Sequence, residues 1–473
     1  MSGNDALCMM TAGEALAAFR ARRLSPVELM QAVIARVERV NPALNAFTYT
    51  FFERALEQAR RVEARYLKSD GRPRPLEGIP VAIKDLHPVK GEITTFGSKA
   101  FADHRPDHTA PTVARLLRAG AIMHARTTTP ESPSGTTYSA LWGVTRNPWN
   151  TAYSPGGSSG GAGAALASGM TMLADGTDAG GSIRIPASAC GLIGYKPPFG
   201  RNPLDRDFPR ETILHFGPLT RSVGDAALMQ NVMSGPHAED PCSLRSRVRI
   251  PETMAGIEGW RVAVSLDLGY KTIDPEVELN TRAAADVFRD LGCVVDDVAL
   301  GWHSGVLDAF LTHSEAFYAG LFGHLLPRWR YEMDPFLVDV IERGMRLDAA
   351  RAYRVNLARG EMYRQLSPIL ERYHVLICPT LALPSVPIEH NNMDYDLRIG
   401  GKPVQPHLGW LLTYPFNMVG ECPVMSVPSG FCRNTGVPTG IQIVGRSFDD
   451  VRVFRAAAAY EAASPWRGRW PAL

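Results

Sequence analysis

The stretch that decides the fold reads SPGGSSGG at residues 154–161 and continues, after a run of small and apolar residues, as DGTDAGGSIRIP at residues 175–186. Glycine weakens helices and strands by about 0.5–1 kcal/mol relative to alanine, so clustered glycines indicate backbone that turns sharply or approaches another group closely. Serines on such backbone, beside N–H groups that are free to point inward, can provide a nucleophile next to an oxyanion hole. These two segments therefore predict a hydrolase.

The elements on either side of this stretch alternate between strands and helices. Helices are predicted between most of the strands, notably at 275–291 and 449–463. The predicted strands lie at 79–85, 121–125, 170–174, 261–265, 293–298, 375–377, 424–427 and 440–444. This alternation favours an α/β fold with a mixed, mostly parallel central sheet flanked by helices.

Composition divides the chain into regions. Residues 1–70 are predicted to be an N-terminal helical segment that packs on the core, with a capping box at Ser25–Glu28. Residues 71–240 form the predicted catalytic core, and residues 241–473 are the remainder of the same α/β domain. Within that remainder, residues 300–415 are rich in helix and aromatic side chains, which fits a helical cap over a substrate pocket. Ordinary helix packing explains this composition equally well.

Charge and cysteine content exclude several classes of partner. The net charge of +2 comes without a basic stripe, so nucleic acid is not an expected partner. No uninterrupted apolar run is long enough to span a membrane, and the first residues do not resemble a signal peptide. The seven cysteines have no regular spacing, which argues against a disulfide framework and against a zinc site. We therefore expect a cytoplasmic protein that does not bind membranes.

Two serine-bearing turns are the candidate catalytic elements. The pair Ser158-Ser159 is not followed by the Gly-Lys-Ser/Thr of a phosphate loop, so a nucleotide is not expected. The same pair satisfies G-x-S-x-G, the nucleophile elbow of α/β-hydrolases, although this pattern is weak in Gly/Ser-rich sequence. Ser182 follows two glycines directly after a predicted strand, so the N–H groups of residues 179–182 could converge on one point.

A lysine follows the apolar run at 79–83, near the end of the predicted strand at 79–85. Lys84 on its own is typical of a surface side chain that extends its ammonium into water. If it were buried, Lys84 would lose its proton readily and could act as a base.

Together these motifs resemble the amidase signature family. The resemblance spans most of the chain and rests on the blocks GIPVAIKD at 78–85, 154–161, 175–186, CGLIGYKP at 190–197, PFN at 415–417, SVP at 426–428 and GIQIVG at 440–445. It implies the amidase signature fold and a Ser-cisSer-Lys triad, in which Ser182 is the nucleophile and Lys84 the general base. Ser158, on a cis peptide bond, would relay the proton between them.

The resemblance also implies how the intermediate is stabilised. The expected oxyanion hole consists of the backbone N–H groups of Ala179, Gly180, Gly181 and Ser182. Ser159 and Asp178 are expected to support the triad through hydrogen bonds, and Arg184 to anchor the loop. This chemistry requires no metal and no organic cofactor.

The expected reaction is hydrolysis of a small-molecule carboxamide, with an aryl or apolar acyl group, through a Ser182 acyl-enzyme. Ureide or carbamate hydrolysis within the same family is the alternative. A less favoured alternative is an α/β-hydrolase esterase that would use His374 or His390. Glutamine hydrolysis within an amidotransferase is disfavoured, because residues 351–356 lack the Asp-Gly-x-Arg-Tyr-Gly block of those enzymes. Family members often form dimers, so the resemblance is compatible with a homodimer. The sequence does not assign the natural substrate or the roles of His87, Glu421 and Cys422.

Overall fold

The computed structural model describes residues 3–68 and 72–473. The helices in these ranges are α1 (Gly3–Met9), α2 (Ala12–Arg20), α3 (Pro26–Leu44), α4 (Phe52–Leu67), α5 (Pro111–Arg118), α6 (Gly160–Ala167), α7 (Arg184–Cys190), α8 (Val223–Met233), α9 (Pro275–Asp290), α10 (Gly305–Phe322), α11 (Leu326–Trp329), α12 (Pro335–Met345), α13 (Ala349–Arg372), α14 (Pro415–Met418) and α15 (Asp450–Ala463).

The strands are β1 (Phe47–Thr50), β2 (Pro80–Lys84), β3 (Ile122–Thr127), β4 (Tyr138–Ser139), β5 (Gly143–Val144), β6 (Leu173–Asp178), β7 (Ile193–Lys196), β8 (His215–Thr220), β9 (Arg261–Val264), β10 (Val294–Asp297), β11 (Val375–Pro379), β12 (Arg398–Ile399), β13 (Lys402–Pro403), β14 (Val424–Phe431) and β15 (Pro438–Val444). Eleven of them form one sheet in the order β1-β3-β2-β6-β8-β7-β14-β15-β11-β9-β10.

The sheet is mixed, as the sequence predicts. β2 runs parallel to β3 and β6, and β9 runs parallel to β10 and β11. The other neighbouring pairs are antiparallel. The α/β class is therefore confirmed, but the expectation that the strands run mostly parallel is wrong. The reason is that β7 and β8, which the sequence pattern did not reveal, and the β14–β15 hairpin bring antiparallel neighbours into the middle of the sheet.

Two parallel strands bring the candidate residues to one edge. Val81 and Ala82 of β2 pair with Leu173 and Ala174 of β6. Because parallel strands end at the same edge of a sheet, the end of β2 lies beside the end of β6. The strand predicted at 170–174 forms three residues later, and β6 includes the whole Asp-Gly-Thr-Asp sequence before the Gly-Gly-Ser turn.

Helices cover the sheet and begin where the sequence predicts. The Ser25 hydroxyl accepts a hydrogen bond from Val27 N, and Glu28 accepts one from Ser25 N, so the capping box at the start of α3 is confirmed. Leu29, Val33 and Val37 of this helix are buried in the core around β2 and β3. α6 is buried along its whole length, which its small residues permit.

Helices α10, α12 and α13 lie between β10 and β11 in the sequence. α10 packs against both α12 and α13. The interpretation of residues 300–415 as a substrate cap stays a prediction, as does the division at residues 240 and 241. The boundary predicted between residues 70 and 71 lies outside the described residues. In the described part of the chain, no helix has the length and apolar character needed to cross a membrane.

Candidate active site

Lys84, the last residue of β2, is completely buried and surrounded by hydroxyl groups. Its Nζ lies 2.7 Å from Ser158 Oγ, 3.0 Å from Ser159 Oγ and 2.8 Å from Thr177 Oγ1. Its backbone N donates to Asp175 Oδ1 at 2.7 Å, which fixes the end of β2 to β6. The side chain therefore points inward and does not extend to the surface.

Burial changes the acidity of this lysine. Desolvation lowers the pKa of Lys84 from 10.5 to about 7, and the carboxylates of Asp175 and Asp178 oppose the shift. A buried ammonium with a pKa near 7 is neutral in a large fraction of molecules at neutral pH. Lys84 therefore has the protonation behaviour of a general base.

The serine pair lies at the start of α6. The peptide bond between Gly157 and Ser158 is cis. A Cβ atom on Gly157 would lie 2.3 Å from Thr136 O, so only glycine fits this close approach. Ser159 N donates to Ser182 O at 3.2 Å, which joins this loop to the loop that carries Ser182.

Ser182 lies on the turn between β6 and α7. It lines one cavity, here called the main cavity, together with Ser158 and Thr177. Among the residues that the structure describes, none forms a hydrogen bond with the Ser182 hydroxyl. Lys84 and Ser158 are thus in direct contact, whereas Ser182 shares the main cavity with Ser158 and is not hydrogen-bonded to it.

Asp178 holds the turn before Ser182. Its carboxylate accepts hydrogen bonds from Gly181 N at 2.8 Å and from Arg184 Nε and Nη2, both at 2.9 Å. Asn417 Nδ2 adds a bond at 2.8 Å. Burial raises the pKa of Asp178, but the positive charge and hydrogen bonds of Arg184 outweigh burial and, with Asn417, keep this pKa well below its usual range. The carboxylate is therefore a permanently charged acceptor.

Arg184 connects this turn to the C-terminal part of the sheet. It is fully buried and also donates to Gln442 Oε1 at 2.6 Å, to Asn417 Oδ1 at 2.7 Å and to the Thr413 carbonyl at 2.9 Å. The expectation that Arg184 anchors the loop agrees with these contacts.

The four predicted oxyanion donors are not equivalent. The Gly181 N–H donates to the Asp178 carboxylate and is not free to bind an oxyanion. The prediction that Gly181 belongs to the oxyanion hole is therefore wrong. No hydrogen bond to a described residue engages the N–H groups of Ala179, Gly180 and Ser182. Gly181 has φ +127°, and a Cβ there would lie 2.0 Å from Thr413 Oγ1, so glycine is needed for the shape of the turn.

The main cavity is largely apolar. Its apolar walls include Leu86, Phe96, Phe208, Phe310, Phe317 and Phe322. Three ionisable side chains, Glu131, Tyr318 and His407, also line it. Burial lowers the pKa of His407 to about 4, so this imidazole is neutral at physiological pH.

Other residues named from the sequence lie outside the main cavity. His87 is fully buried, contacts the Asp175 carboxylate through Nδ1 and packs its ring against Phe216. His374 stacks on Trp260, and His390 contacts the Pro406 carbonyl. Neither His374 nor His390 lines the main cavity. The esterase alternative, which needs one of them beside Ser158 or Ser159, is therefore not supported.

One group of described residues has metal-ligand spacing. The ligand atoms of His108, Asp205 and Asp207 lie within 4.8 Å of one another. His108 Nε2 is hydrogen-bonded to Asp205 at 3.0 Å, and none of the three lines the main cavity. The expectation that the reaction uses no metal and no cofactor stays a prediction.

Sequence reasoning missed several contributing residues. Thr177 completes the hydroxyl cage of Lys84, and Asp175 holds its backbone. Asn417 and Gln442 hold Asp178 and Arg184. The signal was present, because all four residues lie inside the sequence blocks that carry the family resemblance.

A mixed sheet that carries a buried lysine and two serine-bearing loops beside an apolar cavity is the architecture of an amide-hydrolysing enzyme. Comparison with known families agrees, since residues 28–454 match the family described as Amidase. The chain belongs to this family and is an amide hydrolase.

Similar proteins cover the whole chain. An acylamidase from Rhodococcus erythropolis is 36% identical over 98% of this chain and 97% of its own length. A glutamyl-tRNA(Gln) amidotransferase component from Geotalea daltonii is 31% identical over 96% of both chains. The crystal structure of a bacterial aryl acylamidase of the amidase signature family superposes with a TM-score of 0.90, at 30% identity over 97% of both chains.

Proposed function

We propose that the protein hydrolyses small carboxamides with an aryl or apolar acyl group through an acyl-enzyme on Ser182. The observation that carries this proposal is the contact of 2.7 Å between Lys84 Nζ and Ser158 Oγ, at the edge of an apolar cavity that Ser182 also lines.

The first half of the reaction forms the acyl-enzyme. Neutral Lys84 takes the Ser158 hydroxyl proton while Ser158 Oγ takes the proton of Ser182, whose oxygen attacks the amide carbonyl carbon. The carbonyl oxygen becomes an oxyanion, which the N–H groups of Ala179, Gly180 and Ser182 stabilise. Each such donor is worth roughly 3–4 kcal/mol in the barrier.

The second half releases both products. The proton on Lys84 returns through Ser158 to the amide nitrogen, the C–N bond breaks, and ammonia or an amine leaves. Water then attacks the ester carbonyl of the acyl-enzyme, the same relay takes its proton, and Ser182 leaves as the hydroxyl when the carboxylate product forms.

The lining of the main cavity supports the substrate class. Aromatic rings at Phe96, Phe208, Phe310, Phe317 and Phe322 suit an aryl or aliphatic acyl group. The names of the acylamidase and aryl acylamidase relatives point the same way. Ureides and carbamates of similar shape are the alternative substrates.

Glutamine is disfavoured as a substrate despite the amidotransferase relatives. A glutamine α-carboxylate needs a cationic partner when it leaves water. The described residues that line the main cavity include no arginine and no lysine. A neutral amide avoids this desolvation cost.

The cysteines support an assignment of compartment. Each of the seven is free of a disulfide bond, as expected in a reducing cytoplasm. We infer a cytoplasmic enzyme that acts on small amides without nucleic acid or membrane partners. A homodimer is compatible with this proposal.

Labelling with a fluorophosphonate tests the nucleophile. The reagent should label the wild-type protein once, and Ser182→Ala should abolish the label whereas the matched variant Ser159→Ala should retain it. Labelling that persists in Ser182→Ala would overturn the assignment. Ordinary turnover in Lys84→Ala would overturn the proposed base.

A further inference from the structure

The main cavity contains a single carboxyl group among its described lining residues, Glu131. Glu131 belongs to the segment 129–135, which lines the cavity. This segment contributes polar side chains, whereas the aromatic walls are apolar. In a cavity with low polarity, one uncompensated charge strongly affects which substrates bind.

Two hydrogen bonds fix the position of this carboxylate. Oε1 accepts from Ser98 Oγ at 2.6 Å, and Oε2 accepts from Asp334 N, at the start of α12, at 2.7 Å. Each oxygen keeps a second acceptor site, because a carboxylate oxygen has two lone pairs. Burial, with a smaller contribution from the Asp334 carboxylate, raises the pKa of Glu131 above its usual value, and the two hydrogen bonds to the charged form oppose that shift without cancelling it.

A second cavity continues the same electrostatic pattern. It adjoins the main cavity, since Ser132 and Ser134 line both. Its lining contains the carboxyl groups of Asp334 and Glu389, and no described arginine or lysine lines it. The chain as a whole carries +2, so the two cavities are acidic within a slightly basic molecule.

Among the described residues, Lys99 interacts favourably with the Glu131 carboxylate and lowers its pKa, but its ammonium does not line the main cavity. The Lys99 side chain is 42% exposed, and its Nζ lies 3.9 Å from Glu332 Oε2. Lys84 sits behind Ser158 and is neutral in the form that acts as the base. A substrate carboxylate in the main cavity would therefore face Glu131 without a compensating partner, whereas a substrate ammonium would gain one.

We propose that Glu131 is a specificity-determining residue that makes the enzyme prefer amides with a positively charged amino group over isosteric amides with a carboxylate. This inference rests on the proposed function, because it concerns substrates of the same site. It adds a chemical class to that function: an apolar or aryl amide with a basic group.

The test compares three benzamides that carry, at the para position of the acyl ring, an aminomethyl, an ethyl or a carboxylate group. Wild-type kcat/KM should be highest for the cationic compound and lowest for the anionic one. In Glu131→Gln, which keeps the acceptor for Asp334 N, the cationic-to-anionic ratio of kcat/KM should fall roughly tenfold. Intrinsic reactivity cancels, because the same compounds are compared in both enzymes.

Two variants control for indirect effects. Glu131→Asp keeps the charge and should keep the order of the three substrates. Asp334→Asn removes a neighbouring charge from the second cavity, where the Asp334 carboxylate already accepts from Phe336 N and Leu337 N of α12. Asp334→Asn should therefore change the ratio by less than about threefold.

The outcomes separate the two proposals. Hydrolysis of the ethyl compound with an unchanged ratio in Glu131→Gln would overturn the role of Glu131 and leave the proposed function intact. A wild-type preference for the anionic compound, or an equal effect of Asp334→Asn, would also overturn that role. Failure to hydrolyse the ethyl compound and other neutral amides would overturn the proposed function itself.

Discussion

Among the residues that the structure describes, two lysines are completely buried, Lys84 at the end of β2 and Lys196 at the end of β7, and they differ in what surrounds the amine. Burial is the largest cause that lowers each pKa to about 7. The Nζ of Lys84 is surrounded by three hydroxyls. The Nζ of Lys196 is surrounded by the carbonyl oxygens of Pro197 at 3.3 Å, Gly420 at 3.3 Å and Cys422 at 2.9 Å.

This difference separates a base from a structural cation. A hydroxyl can donate and accept, so the partners of Lys84 fit both the amine and the ammonium and can pass a proton onward. A carbonyl oxygen only accepts, so three carbonyls match the three N–H groups of an ammonium and provide no route for its proton. A lowered pKa alone therefore does not identify a catalytic lysine.

The largest effect on activity is expected when each of the two lysines is replaced by methionine. Lys84→Met should lower kcat/KM by about 10³-fold or more, because the relay loses its base. Lys196→Met should stay within about tenfold of wild type. Steady-state kinetics on one neutral amide measures both, with circular dichroism as the check on folding. Equal losses in two folded variants would contradict the distinction.

The two methionine variants should rank in the opposite order when the free energy of unfolding is measured, with the larger loss in Lys196→Met. Lys196→Met leaves the Pro197 and Cys422 carbonyls without this donor, which should lower the free energy of unfolding by about 2–3 kcal/mol. Lys84→Met should change it by less than about 1 kcal/mol, since the three hydroxyls can bond to one another. Urea denaturation of the three proteins checks this prediction. A more stable Lys196→Met variant would show that the carbonyl cage does not need its cation.

The pH dependence of activity should report Lys84 alone. The neutral amine is the active form and its pKa is about 7, so kcat/KM should rise roughly tenfold between pH 6 and pH 8. The profile should be the same in Lys196→Met. Rates measured in buffers of constant ionic strength test this, and a maximum near pH 5 would exclude a lysine base.

The smallest effect is expected for the third hydroxyl of the cage. Thr177→Val removes one of three acceptors from the Lys84 ammonium and so disfavours the protonated form. The pKa of Lys84 should fall, and the acidic limb of the pH profile should move down by roughly half a pH unit, with a plateau about threefold lower. Thr177→Ser should restore both features. A limb that moves upward would contradict the proposed role.

Local patterns made part of the fold predictable. The apolar run that ends at Lys84 and the capping box at Ser25 are short-range signals, and both elements form where predicted. The strand that precedes the Gly-Gly-Ser turn was predicted to end at residue 174, four residues too early, because Asp175, Thr177 and Asp178 are atypical of a buried strand. They occupy one since Lys84 and Arg184 satisfy their polar groups.

The candidate site divides in the same way. Lys84, Ser158 and Ser182 could be named because their sequence blocks resemble a family. The hydrogen bond from Gly181 N to Asp178 could not be foreseen, because it depends on the φ angle of +127° at Gly181. The contact of Arg184 with Gln442 spans 258 residues of chain, and no local pattern encodes such a distance.

The contact between Arg184 and Gln442 makes the turn before Ser182 depend on a strand that lies far along the chain. A nascent chain that ends before β15 already carries every residue of the lysine relay and Ser182. It lacks Gln442, which completes the shell that orients the turn before the nucleophile. The residues that carry out the chemistry and a contact that aligns them are therefore encoded in separate parts of the chain, and truncation before β15 would remove that alignment while leaving the relay residues in the sequence.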